Sequence, residues 1–341
     1  MAEKSVTIHS EPLKELVIAR LTEVGTSLSD ARTIADILVY ADLRGIHSHG
    51  VLRTEHYTNR VRQGGINLQP NLSLQKRSCV TGIIDAGGGF GHTAAKRATE
   101  SALSMAKEHG LGLVGVRNSS HCGSLGYYVD MALEEKMMCV CAVNTDSAVV
   151  PFGGTRPFFG TNPFAFGFPG EKDSILLDMA TSEVAFGKIF YARENNTPIP
   201  DNWAVAEDGS PTTDPHKAFA LFPFGGYKGF GINIMVEALT GLLIGGAYGP
   251  QIKSMYGDLS SLRNLAGFHL IIDPRLFGGE NTFKTAQSMI DSLHSQPAAE
   301  ESGEILIPGE IQRRNLEHSL REGIQIPASI YEFLSTGKTA E

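Results

Sequence analysis

Apolar residues recur at helical spacing along the first part of the chain and break at Gly25 and Gly45. The pattern predicts a helix over 11–24, capped by Ser10 and closed by Gly25. A second is predicted over 29–44, where Ala31, Ile34, Ile37, Leu38 and Ala41 share one face behind a Ser29-Asp30 start signal. Positions 64–76 are polar, with Gly64, Gly65 and Pro70, and read as a linker or domain edge. A strand over 80–85, an Ala-rich helix over 93–108 stopped by Gly110, and a strand over 111–116 follow. Next come a helix ending near 136 and a strand through Cys139 and Cys141. The stretch 144–170 is rich in Gly, Pro and Phe and reads as irregular. Beyond it the pattern gives a strand ending at Asp178, a helix over 185–193 and a loop carrying Trp203. A long helix from Gly229, a strand over 268–273 and a helix over 281–295 complete the body. Two short helices, over 310–321 and 328–334, form the tail. No repeat appears, and the class is mixed α and β.

Composition narrows the picture. The 341 residues suggest about two domains on the length prior. With 42% hydrophobic and 19% charged residues the chain is an ordinary globular one. A net charge of -8 without Lys/Arg clusters argues against nucleic acid as a partner. An anionic ligand would therefore depend on local cations. No signal-peptide pattern opens the chain, and the apolar stretch near 232–244 is short and interrupted by Asn233, Glu237 and Thr240. The expectation is a cytoplasmic protein with no membrane partner. Cys139 and Cys141 share a strand face and read as small buried hydrophobes, and Cys122 lacks an orienting partner for a nucleophile.

Two segments carry candidate chemistry. Arg44-Gly-Ile-His-Ser-His-Gly-Val-Leu-Arg53 sets two imidazoles, His47 and His49, among guanidinium groups. Arg53 offers the rigid two-pronged donor that suits a small carboxylate. A helix end whose cations complement the macrodipole is the alternative. Arg117-Asn-Ser-Ser-His121-Cys-Gly follows a strand and precedes a helix, and His121 titrates near working pH. The glycine cluster Asp85-Ala-Gly-Gly-Gly-Phe-Gly-His misses the G-x-G-x-x-G spacing and reads as a tight turn. Arg117 is the one feature that could serve a 2′-phosphate. Glycine-flanked stretches at Pro151, at Phe159 to Phe166 and around Lys228 offer backbone donors to a cofactor, or serve subunit contacts.

Taken together, these marks resemble the malate/L-lactate dehydrogenase family that is distinct from the Rossmann enzymes. They are Ala41-Asp-Leu-Arg-Gly-Ile-His-Ser-His-Gly with Arg53, Asn118-Ser-Ser-His-Cys-Gly, Val150-Pro-Phe-Gly-Gly, Gly160-Thr-Asn-Pro-Phe-Ala-Phe, Leu177-Asp-Met-Ala-Thr-Ser and Lys228-Gly-Phe-Gly. Ile199-Pro-Asp-Asn-Trp-Ala-Val, Pro211-Thr-Thr-Asp-Pro, Ser254-Met-Tyr-Gly-Asp-Leu and Arg263-Asn-Leu resemble its ureidoglycolate-oxidising members.

The resemblance implies an α+β fold. A mixed-sheet, non-Rossmann cofactor domain (77–289) would be flanked by a smaller helical domain built from both chain ends (1–76 with 290–341). It implies hydride transfer from ureidoglycolate to NAD, giving oxalurate, with malate or another 2-hydroxy acid as the alternative substrate. His121 falls on the general base. His49, Arg53, Tyr57 and Arg263 fall on substrate-binding positions. Thr145 (where Ser is usual), Asp178, Met179, Ala180, Lys228, Pro308, Gly309 and Glu310 fall on cofactor contacts. A homodimer or larger homo-oligomer, a small carboxylate substrate and no metal are implied. A rival reading from the residues alone is a metal-dependent hydrolase using His47, His49 and His56 or His121 as zinc ligands.

Overall fold

The computed structural model describes residues 5–300 and 303–338. Met1 to Lys4, which open the segment examined for a signal peptide, lie outside the described residues. Seven strands form one mixed sheet in the spatial order Leu74–Lys76, Thr81–Asp85, Leu111–Ser119, Leu265–Ile272, Met138–Val143, Phe164–Pro169, Ser174–Met179. Only Thr81–Asp85 and Leu111–Ser119 run parallel; every other neighbouring pair is antiparallel. The fold is therefore α+β with a mixed sheet. Its central strand, Leu265–Ile272, arrives late in the chain and inserts between Leu111–Ser119 and Met138–Val143.

The helix Gly91–His109 lies on one face of the sheet and buries Ala94, Ala95, Ala98, Ala102 and Ala106. Small residues bring its backbone close. A side-chain carbon on Gly112 would lie 2.0 Å from the Ala102 carbonyl oxygen. On the other face Phe268 and Ala142 pack against Val236 and Ile244. A second core joins the chain ends: Leu13, Val17, Leu21, Ile34 and Leu38 pack with Ile324, Ile326, Phe333 and Leu334. The strands Ser5–Ile8 and Ile324–Pro327 pair antiparallel beside it. A third cluster gathers Val149, Phe159, Ile189, Ala204 and Leu221. The helix Asn281–His294 crosses position 290, the expected domain boundary. Among the described residues no helix is long and apolar enough to cross a membrane.

Two local expectations are corrected, and one helix is added where none was expected. Ser27, not Ser29, caps the second helix, accepting the Asp30 N–H at 3.1 Å, and Ser10 is the first residue of its helix rather than the cap. Phe164–Pro169 is a strand inside the stretch expected to be irregular. It alternates large and small residues, Phe-Ala-Phe-Gly-Phe, so apolar–polar alternation could not reveal it. Arg53–Arg62 is a helix whose buried positions are Thr54, Tyr57, Thr58 and Arg60. A buried face of polar residues leaves no hydrophobic period to detect.

Candidate active site

The segment 44–53 is built on a buried carboxylate. Asp42 lies on the apolar face of the helix Leu28–Leu43, 3% exposed. It accepts the Val51 N–H at 2.7 Å and hydrogen-bonds His47 Nδ1 at 2.9 Å. A side-chain carbon on Gly50 would sit 2.1–2.3 Å from this carboxylate, so glycine is required there for the turn to close. Burial raises the Asp42 carboxyl, against the pull of its two hydrogen bonds, and the Asp42 hydrogen bond raises His47. The turn also aims the guanidinium of Arg53, whose Nε donates to the Ser48 carbonyl at 2.7 Å. Ser48 Oγ lies 3.0 Å from His49 Nδ1.

The glycine-rich turn after Thr81–Asp85 serves the other side of the site. It is a tight turn, as its spacing predicted. Ala86 and Gly88 donate their N–H groups to the carbonyls of Arg117 and Asn118 at 2.9 and 2.8 Å. A side-chain carbon on Gly91 would lie 2.1 Å from the Ser120 carbonyl oxygen and 2.7 Å from that of His121. These glycines hold the backbone that carries His121. Arg117 and Asn118, expected after the strand, lie within it, and Arg117 Nε pairs with Asp85 at 3.1 Å.

His121 is half-buried. Its Nδ1 receives the Gly123 N–H at 3.2 Å and lies 2.7 Å from the Tyr57 hydroxyl. Because the Gly123 N–H can only donate, the neutral ring is assigned its proton on Nε2. His49 stacks on His121 with ring centroids 5.6 Å apart, and His92 lies 6.1 Å away, edge on. Burial depresses all three imidazoles. His49 falls to about 4, with Arg53 adding to the effect, and His92 to about 3. His121 falls well below its ordinary value, through burial first and then His49, Arg53, His92 and Arg263. All three are uncharged near neutral pH.

The far end of the site is made by a later loop. Arg263, 1% exposed, donates through Nη2 to Asp146 Oδ1 and through Nε to the Lys253 carbonyl at 3.3 Å. Tyr256, on the same loop, accepts a hydrogen bond from Arg53 Nη1. Its ring lies 5.3 Å from that of His56.

The expected cofactor residues are placed on several elements. Asp178 lines a cavity of about 350 Å³ together with Tyr40, Arg44, Asp130, Gly309 and Arg313. One Asp178 oxygen accepts Ser124 Oγ at 2.9 Å and the Gly126 N–H at 2.8 Å. Leu176 N–H donates to the Pro308 carbonyl at 3.0 Å, which sets Pro308 and Gly309 beside this strand. Glu310 spends its carboxylate locally, on the Ile307 N–H and His294, both at 2.9 Å. Met179 and Ala180 lead to Thr181, whose N–H donates to Thr161 and whose carbonyl accepts from Phe224. Thr145 Oγ1 stands 3.3 Å from Thr161 Oγ1, and Lys228 is exposed in the first turn of Tyr227–Glu237. A side-chain carbon on Gly160 would lie 2.1 Å from Thr145 Oγ1, so the hydroxyl is seated against bare backbone. Of the expected cofactor residues, Asp178 and Gly309 line the cavity.

Other candidates are not drawn together. Among the described residues no three His, Cys, Asp or Glu side chains are placed to hold a metal ion. The Cys122 thiol is buried and pushed up to about 12, mainly by that burial. Cys139 and Cys141 are buried on one face, their sulfurs 3.5 Å apart. Sequence reasoning passed over Asp42, His92, Asp146 and Tyr256. Only Asp42 carried a signal, a carboxylate four positions after Leu38 on an apolar stripe.

Comparison with known proteins adds a family. The malate/L-lactate dehydrogenase family model matches residues 8–335. The chain is 39% identical to the ureidoglycolate dehydrogenase (NAD(+)) of Escherichia coli O157:H7, over 96% of this chain and 94% of the relative. It is 38% identical to the L-sulfolactate dehydrogenase of Methanocaldococcus jannaschii, over 96% and 95%. The solved sulfolactate dehydrogenase of that organism superposes with a TM-score of 0.90 at 37% identity, covering 96% of this chain and 95% of that one. Malate dehydrogenase from Pyrococcus horikoshii superposes at 0.87 with 34% identity, covering 98% and 97%. The chain belongs to the malate/L-lactate dehydrogenase family.

Proposed function

We propose that the protein is a 2-hydroxy acid dehydrogenase that oxidises ureidoglycolate to oxalurate with NAD. The observation that carries this reading is the pairing of an uncharged, oriented imidazole, His121, with the guanidinium of Arg53, joined through His49 and Tyr57. Arg53 holds the substrate carboxylate and so fixes the carbon that bears the hydroxyl. His121 accepts the hydroxyl proton, its ring held in place by Tyr57, so no free alkoxide forms. His49, stacked beneath, keeps water from the base. A bound nicotinamide supplies the hydride acceptor. Thr145, Asp178 to Ala180, Lys228 and the backbone of Pro308 to Glu310 would hold the dinucleotide. The Asp178 carboxylate disfavours a 2′-phosphate and supports NAD over NADP.

In this reading 1–76 with 290–341 supply Arg53 and Tyr57, and 77–289 supply His121 and the cofactor contacts. The protein works as a homodimer or larger oligomer. The exposed apolar side chains Ile234, Met235, Leu242 and Leu243 on adjoining helical turns support that assembly. Oxidation of malate or another 2-hydroxy acid is the second reading, favoured by the cation at Arg263 and the likeness to L-sulfolactate dehydrogenase.

A test is reduced-nicotinamide absorbance with ureidoglycolate, malate and lactate, each with NAD and NADP. Fastest turnover of ureidoglycolate with NAD is expected. Equal or better rates with malate would remove the substrate assignment.

A further inference from the structure

Ureidoglycolate and malate share one heavy-atom skeleton: a carboxylate, a hydroxyl-bearing carbon, a bridging atom, and a trigonal carbon with two terminal atoms. They differ in the bridge, NH against CH₂, and in one terminal atom, NH₂ against O⁻. Shape separates them poorly. A site that distinguishes them must read charge and hydrogen-bond polarity at the far end of the substrate.

The far end carries an ordered set of charges. Arg60 is committed to backbone, donating to the carbonyls of Met255 and Ser261. Arg263 is closed by Asp146, whose second oxygen accepts the Met255 N–H at 3.0 Å. Arg53, Arg60 and Arg263 bring positive charge to this end, and Asp146 acts on both Arg60 and Arg263.

At this end of the site three buried polar atoms are unpaired among the described residues, Arg60 Nε being one of them. Arg263 Nη1 is buried without a hydrogen-bond partner, and so is His56 Nε2. His56 sits on the same helix as Arg53 and Tyr57, and is uncharged at neutral pH. Arg263 is close enough for its charge to act on His56, Tyr57 and His121. Guanidinium donors and one neutral imidazole are the complement of a carbonyl oxygen and an amide NH₂.

We propose that Asp146 sets the choice of substrate tail. By neutralising Arg263 it leaves the unpaired Nη1 to donate to an uncharged carbonyl and turns away a second carboxylate. Asp146 is a positioning residue, acting through Arg263. The inference rests on the 2-hydroxy acid reading with the substrate carboxylate at Arg53, and extends it to a class: monoanions with a neutral, amide-like tail.

The test compares kcat/KM for malate and for its amide at the carboxyl group distant from the hydroxyl, in the unaltered enzyme, Asp146→Asn and Asp146→Glu. The two substrates have the same bridge and skeleton, so their ratio reports tail charge and is insensitive to general loss of activity. The unaltered enzyme should prefer the amide. Asp146→Asn should cut that preference roughly 10- to 100-fold by admitting malate, and Asp146→Glu should keep it. An unchanged ratio in a folded Asp146→Asn protein overturns the proposal. Should that variant not fold, competition by succinamate and succinate on the unaltered enzyme decides. Succinamate binding about tenfold tighter or more supports the proposal, and equal or tighter succinate overturns it. A shifted ratio without ureidoglycolate turnover would sink the substrate assignment and leave this inference standing. Fast ureidoglycolate turnover with an unshifted ratio would do the reverse.

Discussion

The two ends of the candidate site handle charge in opposite ways. Around His121 the polar groups are imidazoles and a phenol, packed ring to ring and stripped of charge by burial. Around Arg263 permanent charges are gathered and cancelled by fixed carboxylates. In the proposed reaction the first end changes protonation during turnover, which calls for groups whose neutral form is the stable one. The second must stay constant, so it uses guanidinium groups, which do not titrate in the working range. The ends communicate: Arg53 and Arg263 are among the charges that depress His121. In the proposed reaction a substrate carboxylate on Arg53 would offset part of that field and strengthen His121 as a base.

The largest effect should come from removing the titrating end. His121→Ala should lower kcat about 10²–10⁴-fold, the usual share of general acid–base assistance. Cofactor affinity, measured by fluorescence titration of the reduced dinucleotide, should stay within a few-fold of the unaltered enzyme. Near-normal turnover would show that the neutral imidazole cluster is packing and nothing more. Next is the constant end. Arg53→Lys keeps the charge but loses the planar fork and the Nε contact to Ser48. A fall in kcat/KM of roughly 10- to 100-fold is expected, as for a lost bidentate charge-assisted contact. Equal kinetics for Lys and Arg would make Arg53 a helix-end charge, and the contrast between the two ends would collapse.

The two ends were also unequally legible in the sequence. His121 and Arg53 stand in short polar runs at the margins of periodic elements, where a reader looks for chemistry. The glycine turn was separable from a dinucleotide fingerprint by spacing alone, and Gly91 shows why it is glycine: backbone fills the place of its side chain. The Arg263–Asp146 pair was not legible as a pair. Its members are 117 positions apart, and Leu265–Ile272, the central strand that follows Arg263 directly, finds its neighbours only after the chain has returned from a long excursion. The helix carrying Tyr57 escaped because its buried face is polar. Propensity and period report on hydrophobic burial; a site built from buried polar groups is silent to both.

The smallest effect expected concerns the back of the imidazole cluster. His92 is fully buried, lies 5.0 Å from the Tyr57 ring, and has no hydrogen-bond partner on either ring nitrogen among the described residues. Burial, with a contribution from His49, holds it at about 3, against an unfolded value near 6.5. The unfolded chain therefore takes up a proton at this residue that the folded chain refuses. The stability that its neutral form confers is complete above about pH 6.5 and is lost as pH falls from there toward 3. Within that window the loss approaches about 1.4 kcal/mol per pH unit. His92→Phe keeps a ring against Tyr57 and removes the proton site, and replacing an unpaired polar group by an apolar one of similar shape is nearly neutral at pH 7. Urea midpoints at pH 7 and pH 5 should then converge in the variant relative to the unaltered protein. An unchanged difference between the two pH values would mean that His92 titrates normally in the folded chain, and that the end of the site around His121 is wetter than its packing implies.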